Sequence, residues 1–180
     1  NGLCSTGFTI GGRLNAPEFA GIIQLTQAEL LQQKIKEAHG FISLKDNFVT
    51  VKDFRANMEQ GYHILSGSID LRGQEPYVDL ALETDGVRIE PIMRLLLNKE
   101  EASVTGNLRN IMQITGPVSK PSVYGEVNAT DGSAVKQLFN SVAGRYIYDK
   151  GNLYLKDFLI NAFYSRVLLN GTMTESGSLD

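Results

Sequence analysis

Apolar and polar residues alternate along most of this chain, and the alternation is written twice. In residues 6–14, Phe8, Ile10, Gly12 and Leu14 fall on one side of an extended strand, with Thr9 and Arg13 on the other. After Pro17 the phase resumes with Phe19, Gly21, Ile23 and Leu25, and it returns in Ile42 and Leu44, then in Val49 and Val51. Asp46-Asn47 lies between these last two runs and reads as a turn. Further strands are expected at 62–72, carrying Leu65 and Ile69, and at 76–83, carrying Val78, Leu80 and Leu82 against Asp79 and Glu83.

A shift of 104 positions, without a gap, lays the first part of the chain on the last. Gly40, Lys52-Asp53-Phe54, Asn57 and Leu65 fall on Gly144, Lys156-Asp157-Phe158, Asn161 and Leu169. About fifteen positions of roughly seventy-six are identical, where composition would give about five. The apolar phase is kept as well, in Met112, Ile114 and Val118, then Val123 and Val127, Tyr146 and Tyr148, Leu153 and Leu155, and Leu169 and Met173. The chain therefore divides into a first copy at 1–75, a connecting strand and helix at 76–104, and a second copy at 105–180. It reads as one continuous stretch of a longer repetitive protein.

Three places depart from simple alternation. Lys52-Asp53-Phe54 and Lys156-Asp157-Phe158 put Phe out of phase with the aliphatics before it, which predicts a β-bulge in each copy. Residues 28–38 contain strong helix formers, but the matching stretch at 132–142 does not, so a short turn or helical turn is expected at 28–33 and 132–137, followed by a strand. Asp131-Gly132 reads as a turn. Ile89, Ile92, Met93, Leu96 and Leu97 recur at helical spacing, which predicts one amphipathic helix over 89–98.

Strand after strand with one oily face must bury that face. Expected strands of roughly nine to eleven residues exceed the usual five or six. They point to an all-β, elongated, curved, antiparallel-rich sheet whose apolar side forms an open groove. A closed sandwich fits the same alternation. In the groove reading the lining comprises Phe8, Ile10, Leu14, Phe19, Ile23, Ile42, Leu44, Val49, Val51, Leu65, Ile69, Val78, Leu80 and Leu82. The second copy continues it with Met112, Ile114, Val118, Val123, Val127, Tyr146, Tyr148, Leu153, Leu155, Leu169 and Met173.

Composition narrows the chemistry. The net charge is −3 with acids and bases interleaved, which argues against nucleic acid as a partner. Cys4 is the single cysteine and is expected to be an inert small hydrophobe; His39 and His63 are far apart and read as strand residues. Gly11-Gly12 lacks the context of a phosphate cradle, and no serine sits in a nucleophile elbow. Asp53 and Asp157 repeat with the bulge and lie beside Lys52 and Lys156, so they read as structural carboxylates rather than a catalytic pair. No enzymatic activity, cofactor or metal is expected. A β-helix solenoid would need rungs of about 20–25 residues, to which the repeat does not reduce.

Gly116-Pro117-Val118-Ser119-Lys120-Pro121, Val123-Tyr124-Gly125-Glu126-Val127, Gly144-Arg145-Tyr146-Ile147-Tyr148, Asn152-Leu153-Tyr154-Leu155-Lys156-Asp157-Phe158 and Leu169-Asn170-Gly171-Thr172 together resemble the TamB and AsmA-like envelope proteins. The resemblance covers nearly the whole chain and rests on Gly, Pro and alternation. It implies a β-taco, a U-shaped sheet with a hydrophobic groove that carries phospholipid acyl chains between the inner and outer membranes. It further implies a periplasmic location in the envelope of a diderm bacterium, an inner-membrane anchor on the full-length protein, neighbouring repeats of the same chain as partners, and an outer-membrane partner of the Omp85 type. A strand-templating role in assembly of outer-membrane β-barrels is the alternative function implied.

Overall fold

The computed structural model describes residues 3–13, 16–30, 33–58, 61–90, 104–134 and 137–174. Of these, 86% are in strands. The strands are β1 (Leu3–Arg13), β2 (Ala16–Leu30), β3 (Gln33–Lys45), β4 (Phe48–Met58), β5 (Tyr62–Asp70), β6 (Tyr77–Arg88), β7 (Val104–Pro117), β8 (Ser122–Ala134), β9 (Gln137–Asp149), β10 (Asn152–Ala162) and β11 (Ser165–Met173). They form one sheet in the order of the sequence, β1 to β11, and the two ends do not meet. The fold is therefore all-β and open. A sandwich needs a second sheet against the apolar face, and the described residues contain none.

Contacts group the chain into two compact units, Asn1–Glu83 with Gln113–Pro121, and Thr84–Met112 with Ser122–Asp180. Strands β6 and β7 contribute to both. The expected helix over 89–98 begins at Ile89 and Glu90, and its remainder lies outside the described residues.

The 104-residue repeat holds at the level of hydrogen-bond register. Adding 104 to Gln33–Lys45 and to Phe48–Met58 gives the bounds of β9 and β10. Lys45 pairs with Phe48 as Asp149 pairs with Asn152, and Phe54 pairs with Leu65 as Phe158 pairs with Leu169. The hairpin turns repeat too. Asp46 and Asn47 sit at φ of 50° and 57°, Lys150 and Gly151 at 49° and 82°. Both central residues at positive φ match the twist of the flanking strands, and Asp, Asn and Gly tolerate that conformation best.

The bulge expected at Lys-Asp-Phe is present in both copies. The ladder shifts between Val51 and Phe54 and between Leu155 and Phe158. Asp53 and Asp157 take φ of 46° and 54°. A bulged residue loses its place in the ladder, and here its amide finds a side chain instead. The Asp53 N–H donates to Ser66 Oγ at 3.0 Å, and the Asp157 N–H to Asn170 Oδ1 at 2.7 Å. Ser66 and Asn170 are themselves 104 residues apart.

Two local expectations are corrected. Residues 28–30 continue β2 and residue 33 already belongs to β3, so the turn or helical turn expected over 28–33 does not extend to those positions; likewise β8 runs through Asp131-Gly132 to Ala134 and β9 begins at Gln137. The helix formers at 28–30 and 34–38 follow the ladder because strand pairing outweighs a propensity of tenths of a kcal/mol per residue. Asp131 nevertheless departs from extended geometry. Gln27 and Asp131 stand at φ of 53° and 52° within their strands, where the ladder skips Gln27 and Lys36 in one copy and Asp131 and Asn140 in the other.

Candidate functional site: an apolar face in each unit

Directly paired residues in an antiparallel ladder share a face, so the register assigns each side chain. In the first unit Ile10, Phe19, Leu44, Val49 and Ile69 form one row across β1 to β5. Phe8, Gly21, Ile42, Val51 and Gly67 form the next. Phe8 and Phe19 meet edge to face, with ring centroids 5.7 Å apart. Ile23 pairs with Gly40, and Phe54 pairs with Leu65. On β6, Val78 is buried and Leu80 is half-buried between exposed Tyr77, Asp79 and Ala81; Leu82 is half-buried as well.

The second unit repeats the arrangement. Val123, Tyr148 and Leu153 form a row across β8 to β10, whose backbone ladder continues from Leu153 to Met173 on β11, and Gly125, Tyr146, Leu155 and Gly171 form the next. Val127 pairs with Gly144, and Phe158 with Leu169. Met112 is half-buried beside exposed Ile111; along the same strand Ile114, which groups with the first unit, continues the alternation past exposed Gln113. Of the residues expected to line a groove, Leu14 lies outside those described. Val118 departs from expectation: β7 ends at Pro117, and Val118 lies in the following turn, 53% exposed, its N–H donating to the Pro76 carbonyl.

The sequence reading missed part of each face. Because the bulge shifts phase by one residue, Phe54 and Phe158 rejoin the aliphatics before them. Each lies over the glycine of the neighbouring strand. A Cβ on Gly40 would stand 2.7 Å from Phe54 Cδ2, and one on Gly144 would stand 2.4 Å from Phe158 Cδ2. The phase shift at Gln27 and Lys36 brings Ile35 onto the face, where Ile35, Ala38 and Ala56 form a buried cluster joined by Leu25, Ala28, Phe54 and Met58. Phe139, the copy of Ile35, is also buried, at 6% exposure. The visible signal was the Lys-Asp-Phe bulge; its consequence for everything beyond it required the register.

The covering of these faces is thin. Among the described residues nine hydrophobic side chains are buried, and no large side chain is fully buried. Burial gathers at one end of each ladder, around Ile35 or Phe139, and is partial toward Phe19, Leu44 and Val49 in the first unit. Polar groups also sit on the apolar faces. Tyr146 donates its hydroxyl to Asn110 Oδ1 at 3.1 Å, and burial raises its pKa while that bond pulls it down. His63, paired with Ala56, has its pKa lowered by burial.

Charge lies on the opposite faces. In the second unit Glu126 pairs with Arg145 across β8 and β9, and Arg145 bonds Asp157. Arg109, Glu126 and Arg145 help line a depression of about 440 Å³. In the first, Gln113 bonds Asp79 at 3.1 Å. Beyond the strands, Arg72 makes a two-pronged bond to Asp70 and holds its carboxyl at about 2. Cys4, read from the sequence as an inert small hydrophobe, is exposed on β1.

No cluster of three or more metal-ligating side chains occurs among the described residues, and no helix there is long and apolar enough to cross a membrane. No family model, curated protein or solved structure matches this chain.

Proposed function

We propose that this chain is a segment of a lipid conduit that holds phospholipid acyl chains against its apolar faces. The observation that carries the reading is the thin covering of those faces: their rows of aliphatic and aromatic side chains are mostly half-buried, and no large side chain among the described residues is fully buried. Contiguous exposed apolar surface beyond a few hundred Å² is rare on a soluble monomer unless it binds something. Acyl chains suit such a surface because they need no hydrogen-bond partners and adapt to a face of varied relief. Placement in a bacterial envelope, between two membranes and beside an outer-membrane protein of the Omp85 type, follows only from the resemblance to TamB and AsmA-like proteins and belongs to the same proposal. Under it the chain acts as a carrier surface and not as an enzyme.

The test is lipid crosslinking. A photoreactive residue at Ile42 or Tyr148 should crosslink phospholipid in purified protein, and Leu155→Asp should abolish the Tyr148 crosslink while strand content by circular dichroism is retained. Leu155 is half-buried, so its carboxylate can stay hydrated and the fold can survive. Tyr154→Asp, on the opposite face and at a residue 41% exposed, should leave the crosslink intact. Loss of fold in Leu155→Asp would shift the comparison to Ile42→Asp, read by crosslinks at Phe19. Absence of any lipid crosslink in the unsubstituted protein, or crosslinks that persist through both aspartates, would overturn the proposal.

A further inference from the structure

We infer that Asn110 and Tyr146 form a polar station on the apolar face of the second unit, where Asn110 receives the ester carbonyl at the head of a phospholipid acyl chain. The inference rests on the conduit reading and deepens it, by fixing where along the face a lipid is held. Both residues lie in the interior of the sheet, on β7 and β9 with β8 between them. Asn110 is 7% exposed, on the same side of β7 as buried Leu108 and half-buried Met112. Tyr146 reaches it across Gly125, its pair on β8; a Cβ there would stand 2.6 Å from the phenol Cζ and Oη.

The two copies separate packing from chemistry. Subtracting 104 from Asn110 and Tyr146 gives Thr6 and Ile42, so the first copy has neither the amide nor the phenol. The space over the equivalent glycine, Gly21, is filled there by Phe8, whose Cδ1 would lie 2.6 Å from an added Cβ. An aromatic ring over this glycine is thus common to both copies. The hydroxyl and the amide belong to the second alone.

An amide has two hydrogen-bonding ends, and this one has a single partner. The Tyr146 hydroxyl donates to Oδ1 at 3.1 Å, while Nδ2 makes no bond among the described residues. No buried side-chain nitrogen or oxygen there is without a partner, so the unbonded Nδ2 is open to a ligand. A donor on an apolar face with nothing to bind is costly, and a carbonyl oxygen satisfies it. Accepting the tyrosine proton at Oδ1 polarises the amide and strengthens Nδ2–H as a donor. Charge selects among acceptors. The cations of β7 to β9, Arg109 and Arg145, stand on the opposite face, so a carboxylate or phosphate at Asn110 would lack a counter-ion. A neutral ester needs none, and its alkyl chain can continue along the aliphatic rows.

Methyl dodecanoate and tridecane, delivered from cyclodextrin to the purified chain, test it. Measured relative to partition into hexadecane, the ester should bind more tightly by about fivefold or more, the worth of one neutral hydrogen bond. Its carbonyl, labelled with carbon-13, should show a hydrogen-bonded infrared band. Asn110→Leu should abolish the preference and the band while tridecane binding is kept. Tyr146→Phe, which retains the ring over Gly125, should reduce the preference, and it carries the test should Asn110→Leu fail to fold. Dioctanoylphosphatidylcholine should depend on Asn110 in the same way. Equal binding of ester and alkane would overturn the inference and leave the conduit reading standing; binding of neither would overturn both. A preference that survives these substitutions, a phospholipid affinity indifferent to them, or tighter binding of dodecanol than of the ester would also overturn it.

Discussion

Replacing Gly144 by alanine isolates the contact between the bulge aromatic and its glycine. The added Cβ would sit 2.4, 2.6 and 2.8 Å from Cδ2, Cγ and Cε2 of Phe158, where carbon atoms need about 3.5–4.0 Å. The ring must retreat by about an ångström, yet its backbone is held by the bulge and by the Asp157 N–H bond to Asn170. Overpacking of this kind costs about 1–3 kcal/mol. In a Phe158→Ala background all three atoms are gone, and the sign should reverse. Glycine inside a strand costs roughly 0.5–1 kcal/mol relative to alanine, so Gly144→Ala should then stabilise by about that much. The coupling energy is the difference, about 1.5–4 kcal/mol, well above the few tenths seen for independent sites.

Urea unfolding followed by circular dichroism reads it, since the chain contains no tryptophan. With a slope of about 2–3 kcal/mol per molar, Gly144→Ala alone should lower the midpoint by about 0.3–1.5 M. The first copy supplies a control with a different outcome. A Cβ on Gly40 would meet Phe54 Cα at 2.5 Å and Cβ at 2.8 Å as well as Cδ2, and truncation to alanine leaves the first two in place. Phe54→Ala should therefore rescue Gly40→Ala only in part. Equal costs for Gly144→Ala with and without the Phe158 ring would refute the reasoning.

Two further outcomes are expected. Burial lowers the pKa of His63 below the ordinary value of 6.5, so the unfolded chain takes up the proton more readily; stability should be full above 6.5 and fall as pH drops toward the folded pKa. His63→Val, which installs the residue of the second copy, should flatten that slope in urea midpoints measured from about pH 7.5 down to about pH 5. Asn170→Ala and Ser66→Ala each remove the acceptor of a bulge amide and should cost about 0.5–1.5 kcal/mol, with faster exchange at the Asp157 or Asp53 amide; an unchanged exchange rate would show that water serves the bulge equally well.

What the chain determines locally was legible in the sequence. The 104-residue repeat, the strands, the turn at Asp46-Asn47, and the bulge at Lys-Asp-Phe all follow from side-chain period and from which residues tolerate positive φ. Those properties belong to a residue and its immediate neighbours. The faces beyond each bulge were not legible, because one inserted residue turns every later side chain over, and whether the phase turns depends on what the partner strand does. Phe54, Phe158 and Ile35 reach the apolar face only through register shifts, Phe139 lies beyond the pair that its ladder skips, and Gln27 carries a left-handed conformation that nothing in its own chemistry announces. The extended course of residues 28–30 against their helical propensity and the choice of one open sheet over a sandwich were decided by pairing between strands. That pairing is a property of two segments together, and no single stretch of sequence contains it.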